Sequence, residues 1–374
     1  MKFGLLYELE MLKPWYEGLE YDTYWQAMAQ VQFAEEMGFE YVWTVEHHFL
    51  TEFSHSSAPE VWYGALSQRT KTIRLGHGVV LLPYPFNHPI RVAERIAVLD
   101  ILSNGRVEFG TGRSITEQEL GGFGIDPADS RPMWEEALAI IPRMWQEDPF
   151  SYEGRYFKIP PRSVIPKPIQ KPHPAIWMAT TQPESFTLAG QKGIGVLGFL
   201  LGVEVDAIGR RIQEYRSALK TAKPVGAFTN DQAGVFTITH CAESNKAARE
   251  HAEQAVVWYM QRSIEFFAQW GKAGRPIPEG YRWYAEATSQ RSERLAQRMQ
   301  YDYLDDHEMI MVGDPETLIG RLKRYEAVGV DQILMFMQAG RISHQQIMDS
   351  IKLIGKYVIP YFKHAGKHGD AQGG

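Results

Sequence analysis

Cysteine is nearly absent from this chain, and positive charge is not in excess. The 374 residues include one cysteine, Cys241, so no disulfide can form within the chain. Lys and Arg total 39 against 45 Asp and Glu, a net charge of -6. Proteins that bind nucleic acids use a positive field that this balance does not provide. We therefore expect no nucleic-acid partner, although a local pocket for a phosphate group is compatible with the composition.

Long apolar runs are also missing. No stretch approaches the ~20 residues that a helix needs to cross a bilayer. The first eight residues, MKFGLLYE, are too short and too soon acidic for the apolar core of a signal peptide. We therefore expect a cytoplasmic protein without a membrane segment. Hydrophobic residues make up 44% of the chain and charged residues 22%, as in ordinary globular proteins with a large core.

Strand-like and helix-like stretches alternate along the whole chain. Apolar, β-rich runs occupy residues 3–9, 41–45, 73–82, 106–112, 176–179, 194–199, 235–239 and 332–337, and stretches with helical spacing separate them. Alternation of this kind is typical of parallel sheets covered by helices. Eight units predict an α/β protein with a (β/α)8 TIM barrel, which often exceeds the usual domain length. We therefore predict one domain over residues 1–362.

Two segments interrupt this alternation, and the chain ends in a polar tail. Residues 152–157 have the pattern of a small hairpin, and a proline-rich connector follows to residue 174. Residues 262–308 mix aromatic residues with Arg and Gly, which predicts an insertion at the barrel rim. A lid and an oligomer contact are both compatible with this insertion. We predict that residues 363–374, rich in Gly, His and Lys, are disordered.

The first candidate site follows the second predicted strand, where the sequence reads Glu46-His47-His48-Phe49. Catalytic residues of TIM barrels lie at the carboxyl ends of the strands. Imidazoles suit proton transfer because their unperturbed pKa is about 6.5. A structural, hydrogen-bonded pair is the alternative. Zinc is disfavoured because neighbouring residues of an extended segment point in opposite directions, so we expect no metal.

Two further candidate sites follow later strands. After the fourth strand, Gly112 permits close backbone approach and Arg113 offers a cationic fork for a phosphate or a polar ring edge. After the fifth strand, Thr181, Gln182 and Ser185 stand at the start of a predicted helix. Hydroxyl groups and free amides at a helix N-terminus can bind phosphate, although the same residues also form ordinary helix caps.

Taken together, these motifs resemble the bacterial luciferase-like flavin-dependent monooxygenase family, in particular the luciferase α subunit. The resemblance is carried by residues 1–4, 42–49, 80–83, 88–94, 99–106, 109–114, 129–131, 313–317 and 329–331. It covers nearly the whole chain except the insertion at 262–308 and the tail.

The resemblance implies a TIM barrel that uses reduced FMN and O2 to oxidise a small organic substrate through a flavin hydroperoxide. The electrons would come from NAD(P)H, either in place or through a separate flavin reductase, and the protein would form a homodimer. The resemblance does not name the substrate.

Residue roles follow from the same resemblance, position by position. His47 matches the catalytic base, and Arg113 and Arg131 match residues that bind the FMN phosphate. Thr181, Gln182 and Ser185 belong to the loop that completes the phosphate site, while Gly78 and Val79 match a non-proline cis peptide beneath the flavin ring. Gly112 stands where luciferase has a reactive cysteine near the flavin, so light emission is not expected.

Other functions stay open at this point. The family includes oxidoreductases that use the deazaflavin F420, and a NAD(P)H:flavin-dependent reductase is a related possibility. A non-catalytic flavin-binding protein is a third alternative. The presence of His47 beside Arg113 and Arg131 favours an enzyme, since a binding module needs no proton-transferring residue.

Overall fold

The computed structural model describes residues 1–272, 276–289 and 299–363. The strands are β1 (Lys2–Tyr7), β2 (Tyr41–Thr44), β3 (Arg74–His77), β4 (Val80–Leu81), β5 (Val107–Gly112), β6 (Phe150–Glu153), β7 (Lys158–Arg162), β8 (Ile176–Thr180), β9 (Gly195–Gly198), β10 (Ala233–Cys241), β11 (Met311–Gly313) and β12 (Gln332–Phe336). The helices are α1 (Leu19–Glu36), α2 (Pro59–Ser67), α3 (Pro89–Leu102), α4 (Glu117–Gly122), α5 (Pro127–Gln146), α6 (Pro183–Gln191), α7 (Val205–Leu219), α8 (Asn245–Lys272), α9 (Glu279–Ser289), α10 (Tyr301–Asp306), α11 (Pro315–Ala327) and α12 (His344–Leu353).

Eight parallel strands close into a barrel in the order β1-β2-β3-β5-β8-β9-β10-β12. The last strand closes the ring, because β12 pairs with β10 on one side and with β1 on the other. Gln332 lies in register with Lys2 of β1 and with Gly234 of β10. This confirms the predicted (β/α)8 TIM barrel, and each of the eight predicted strands contributes one barrel strand.

The barrel strands are buried because side chains fill the interior and helices cover the outside. All nine residues of β10 and all five of β12 are buried. The helices begin and end where the local sequence favours it. Pro89 begins α3 at a position that needs no N–H donor, and Gly38 follows α1 with a φ of +90° that favours glycine.

Both predicted interruptions are present, but their boundaries differ from the predicted ones. After α5, β6 and β7 form an antiparallel hairpin with Glu153 opposite Lys158. The late insertion begins within one long helix, because α8 starts at Asn245 directly after β10 and runs to Lys272. Of the predicted tail, Lys363 is helical, and residues 364–374 lie outside the described residues.

The insertion packs over the carboxyl ends of the barrel strands. Trp270 of α8 donates a hydrogen bond to the Ile115 carbonyl at 2.8 Å, and the Tyr281 hydroxyl of α9 donates to the Ser114 carbonyl at 3.2 Å. A separate apolar cluster joins both side chains to Leu120 and Ile125. The insertion therefore covers the mouth at which the candidate residues were predicted. Among the described residues, no helix is long and apolar enough to cross a membrane.

Candidate active site

A cavity at the carboxyl ends of the strands brings all the candidate residues together. Its lining includes His47, Gly78, Val79, Gly112, Arg113, Arg131, Thr181, Gln182 and Ser185. These residues follow β2, β3, β5 and β8 or belong to α5 and α6, and only the closure of the barrel makes them neighbours.

His47 is paired with a buried carboxylate. Its Nδ1 lies 2.8 Å from Glu119 Oε1, and the imidazole is largely buried. Burial alone would lower the pKa of His47, but the charges of Glu119, Glu8 and Glu46 outweigh this effect and raise that pKa to about 9. The pKa of Glu119 is below its usual value because its interactions with His47 outweigh the opposing effect of burial. The pair is therefore ionic at neutral pH.

Glu119 is a functional residue that the sequence reasoning missed. It lies in the first turn of α4, where Thr116 caps the helix by accepting a hydrogen bond from the Glu119 amide at 3.2 Å. Its Oε2 accepts hydrogen bonds from the hydroxyls of Thr116 at 2.6 Å and Ser114 at 2.8 Å. The Thr-x-x-Glu spacing signals a helix start, but nothing local signals the pairing with His47.

The second histidine of the motif points elsewhere. His48 Nε2 lies 3.3 Å from Glu46 Oε1, and the ring stacks on Phe86 at 5.8 Å. Glu46 in turn accepts hydrogen bonds from the Leu81 amide and the Asn87 side chain. His48 is therefore a structural residue. No group of three His, Cys, Asp or Glu residues that could hold a metal occurs in the part of the chain that the structure describes.

The backbone at Gly78, Val79 and Gly112 forms one wall of the cavity. The peptide bond between Gly78 and Val79 is cis, as the resemblance implies. A Cβ atom at Gly112 would lie 2.4 Å from Val79 Cγ2. Because valine is stiff about χ1, a cysteine at position 112 would need the backbone or Val79 to shift. The absence of the luciferase cysteine therefore agrees with the local packing.

Two arginines line another part of the cavity. Arg113 donates to the Gly280 carbonyl at 2.6 Å and to Ser130 Oγ at 3.2 Å, and its guanidinium lies 4.3 Å from the Tyr281 ring centroid. Among the described residues, no carboxylate pairs with Arg113. Arg131 of α5 is half-exposed, and its Nε lies 3.6 Å from Glu135. Both side chains therefore keep positive charge available for an anion.

The N-terminus of α6 adds a partial positive charge to the cavity. Gln182 is the N-cap residue, but its side chain makes no capping bond and instead donates to the Gly280 carbonyl at 3.1 Å. Pro183 occupies the first turn, and Ser185 lines the cavity two residues later. An uncapped helix N-terminus favours negative charge. The arginines and this helix thus offer a site for a phosphate group.

Glu8 is the second functional candidate that the sequence reasoning missed. It directly follows β1, is 2% exposed and lines the same cavity. Its Oε1 accepts a hydrogen bond from the Tyr259 hydroxyl at 2.9 Å. Burial raises the pKa of Glu8 to about 7, although His47 and Tyr259 oppose the shift. Because Glu8 lies near the end of the first predicted strand, its position alone could have marked it as a candidate site residue.

Aromatic residues from the insertion form the outer wall. Phe266 and Phe267 of α8, with Trp283 and Tyr284 of α9, line the cavity. Of the two roles considered for the insertion, this arrangement supports a cover over the site.

The sequence matches the family model described as luciferase-like monooxygenase over residues 3–332. The chain belongs to the luciferase-like monooxygenase family. It is therefore an oxidoreductase, and the resemblance that its motifs carry is confirmed.

Relatives within this family include monooxygenases whose names describe them as the oxygenating part of an enzyme. The flavin-dependent trigonelline monooxygenase, oxygenase component, of Acinetobacter baylyi is 26% identical over 98% of this chain and 96% of its own length. A type II Baeyer–Villiger monooxygenase, the oxygenating constituent of 3,6-diketocamphane monooxygenase from Pseudomonas putida, has been solved with FMN. It superposes with a TM-score of 0.75 at 22% identity, covering 96% of this chain and 98% of its own.

F420-dependent relatives also match. The F420-dependent glucose-6-phosphate dehydrogenase of Amycolatopsis mediterranei is 23% identical over 80% of this chain and 85% of its own length. Family membership therefore does not decide whether a member binds FMN or F420. The cofactor of this chain has to be inferred from its own residues.

Proposed function

We propose that this protein is an FMN-dependent monooxygenase that uses reduced FMN and O2 to oxidise a small organic substrate. The observation that carries the proposal is the composition of the cavity, which combines the His47–Glu119 ion pair with an anion site built from Arg113, Arg131 and the start of α6.

The anion site fits the phosphate of FMN. Arg113 has neutral hydrogen-bond partners and no carboxylate partner among the described residues, so its charge is not cancelled. Thr181 and Ser185 add hydroxyl groups at the uncapped start of α6. Charge-assisted bonds to an anion are about twice as strong as neutral ones. Gly112 has no side chain, which lets Val79 pack directly against its backbone in the wall of the cavity.

Reduced FMN, when bound, supplies the electrons and the reaction with O2, while the protein binds, orients and shields it. His47 supplies a proton. Its Nδ1 is held by Glu119, so the proton on Nε2 is the one available to the cavity. Because the pKa of His47 is about 9, the ring is an imidazolium at neutral pH. We therefore assign His47 as a proton donor in the resting state, whereas the resemblance implied a base.

The cover over the cavity limits the access of water. Phe266, Phe267, Trp283 and Tyr284 present apolar surface on the side where solvent would otherwise enter. A dry site limits unproductive proton transfer to reactive species.

The electrons come from NAD(P)H through a separate flavin reductase. The name "oxygenase component" of the Acinetobacter relative, which matches this chain almost end to end, supports this division of labour.

A cofactor titration followed by rapid mixing tests the proposal. We expect the protein to bind FMN at least about tenfold more tightly than F420, a difference of about 1.4 kcal/mol. The anaerobically reduced FMN complex, mixed with oxygenated buffer, should give a transient that absorbs at shorter wavelength than oxidised flavin. Preferential binding of F420 would establish the dehydrogenase alternative instead. Direct return to oxidised FMN, both alone and with a panel of organic substrates, would contradict monooxygenation.

A further inference from the structure

Glu8 lies in the cavity with one oxygen unpartnered. Its Oε1 accepts from Tyr259, but Oε2 is buried and has no hydrogen-bond partner among the described residues. The nearest cationic atom, His47 Nε2, is 3.9 Å from Oε2, which is beyond hydrogen-bond distance. A buried polar atom without a partner is destabilising, and more so when it is charged. A ligand group in the cavity would remove this cost.

The charges around Glu8 do not balance. The imidazolium of His47 is hydrogen-bonded to Glu119 and is also close to Glu8 and Glu46, so one positive charge faces more than one carboxylate. The other cationic side chains that line the cavity, Arg113 and Arg131, form no ion pair with Glu8. The Glu8 end of the cavity therefore has a deficit of at least one positive charge whenever Glu8 is ionised. A neutral hydrogen-bond donor would satisfy Oε2 but would leave this deficit.

Aromatic rings enclose the same end of the cavity. Phe53 stacks on Tyr259 with ring centroids 4.9 Å apart and meets Phe266 edge-on at 5.1 Å. The Phe53 ring is also 6.3 Å from the His47 ring. All of these residues line the cavity together with Glu8. The faces of aromatic rings attract cations, and this attraction is strongest where water is excluded.

We infer that Glu8, Phe53, Tyr259 and Phe266 form a subsite for a cationic nitrogen carried by the organic substrate. A quaternary or protonated nitrogen supplies the missing positive charge to Glu8 Oε2 and places its alkyl or ring carbons against the aromatic faces. This assignment rests on the proposed function only in that it takes the cavity to be the substrate site. It makes Glu8 a specificity residue and leaves proton transfer to His47.

The test compares two probes of nearly the same shape, N-methylpyridinium and toluene. Binding to the FMN-loaded protein is measured by calorimetry and by quenching of tryptophan fluorescence. We expect N-methylpyridinium to bind at least about tenfold more tightly than toluene. The Glu8→Gln variant should lose this preference for the cation while its affinity for toluene is unchanged, because glutamine keeps the shape and the acceptor for Tyr259.

Glu20→Gln is the matched control, since Glu20 is an exposed carboxylate that pairs with His55 outside the cavity. This variant should keep the full preference for the cation. Equal binding of the two probes to the unmodified protein would overturn the inference, and this result does not depend on whether any variant folds. An undiminished preference in Glu8→Gln would overturn it as well.

The same measurements on flavin-free protein separate this inference from the proposed function. If FMN fails to bind but the preference for the cation persists and depends on Glu8, the cofactor proposal fails and the subsite stands. If FMN binds as expected and the cation has no advantage, the subsite fails and the cofactor proposal stands.

Discussion

The protonation state of His47 depends on the carboxylates around it. A buried imidazole would ordinarily be neutral at pH 7, but Glu119 at 2.8 Å outweighs the cost of burial. Since the pKa is raised from 6.5 to about 9, the charged form contributes stability that is fully present below pH 6.5. That contribution is lost as the pH rises through about 9. Any reaction step that takes a proton from Nε2 should follow the same upper limit.

Replacing His47 with glutamine should remove this proton donor. General acids typically contribute about 10²–10⁴-fold to rate, so we expect oxidation of the reduced FMN complex by O2 to slow by about 100-fold. In the unmodified protein the rate should fall as the pH rises through about 9, and in His47→Gln this decline should be missing. Stopped-flow traces recorded between pH 6 and 10 measure both effects.

His48→Gln is the control for this experiment, because the His48 side chain does not line the cavity and pairs with Glu46 instead of Glu119. It should keep both the rate and the decline near pH 9. An unchanged rate in His47→Gln with normal FMN binding would refute the assigned role.

Arg131 should contribute to affinity for the FMN phosphate. It is half-exposed, and its ion pair with Glu135 at 3.6 Å is a surface i,i+4 pair that contributes little to stability, so its removal disturbs little else. A hydrogen bond to a charged group contributes about 1.5–3 kcal/mol, so Arg131→Ala should raise the Kd for FMN by about tenfold or more. The affinity for riboflavin, which has no phosphate, should not change.

Arg91→Ala provides the matched control, since Arg91 is exposed and pairs with Glu94 on α3. It should bind FMN and riboflavin as the unmodified protein does. Equal loss of affinity for both flavins in Arg131→Ala would assign Arg131 to the ring site instead of the phosphate site.

Helix α9 is attached to the barrel by polar contacts at one end. Arg113 and Gln182 both donate to the Gly280 carbonyl, and the Tyr281 hydroxyl contacts Ser130 Oγ at 2.9 Å and the Ser114 carbonyl at 3.2 Å. The same arginine is proposed to bind the FMN phosphate. Binding of the phosphate by Arg113 would therefore couple the position of the cover to occupation of the phosphate site through one side chain.

Removing the Tyr281 hydroxyl should loosen α9 without unfolding the barrel. Tyr281→Phe keeps the ring that stacks on Trp270 at 3.9 Å but deletes both hydroxyl contacts. A net loss of about 1 kcal/mol for each of the two hydrogen bonds, about 2 kcal/mol together, predicts amide exchange in residues 279–289 that is about 30-fold faster.

Hydrogen exchange followed by mass spectrometry measures this change, with the exposed Tyr357→Phe as control. Exchange in the barrel strands should be unaffected in both variants. If exchange in α9 is unchanged in Tyr281→Phe, these contacts do not hold the cover.

Exposed apolar side chains on the neighbouring helices α2 and α3 offer a face for a homodimer. Val61 of α2 and Val98, Ile101 and Leu102 of α3 are exposed by 71%, 43%, 42% and 52%. Contiguous exposed apolar residues on a monomer mark contact surfaces. We expect sedimentation to show a dimer, and Ile101→Glu should shift it to monomer because burying an unpaired charge is costly.

Tyr357→Glu, which places the same charge at an exposed position outside this face, should remain dimeric. A monomeric unmodified protein, or a dimeric Ile101→Glu protein, would exclude this face as the interface.

Much of the architecture follows from the sequence alone. Buried parallel strands need continuous apolar runs, and helices between them need apolar spacing near 3.6 residues, so both signals are local. They predicted all eight barrel strands. Since a barrel gathers the ends of its strands at one mouth, His47, Arg113 and Thr181 could be expected near each other before any contact was known.

Only the tertiary structure decided which buried charges meet. His47 and Glu119 are 72 residues apart, and their contact turns a group expected to be a base into an imidazolium. Glu8 and Tyr259 are 251 residues apart, and their hydrogen bond leaves the other carboxylate oxygen of Glu8 buried without a hydrogen-bond partner among the described residues. Periodicity and spacing carry no information about such pairs, because the energy of a buried charge depends on groups that the fold, not the chain, places beside it.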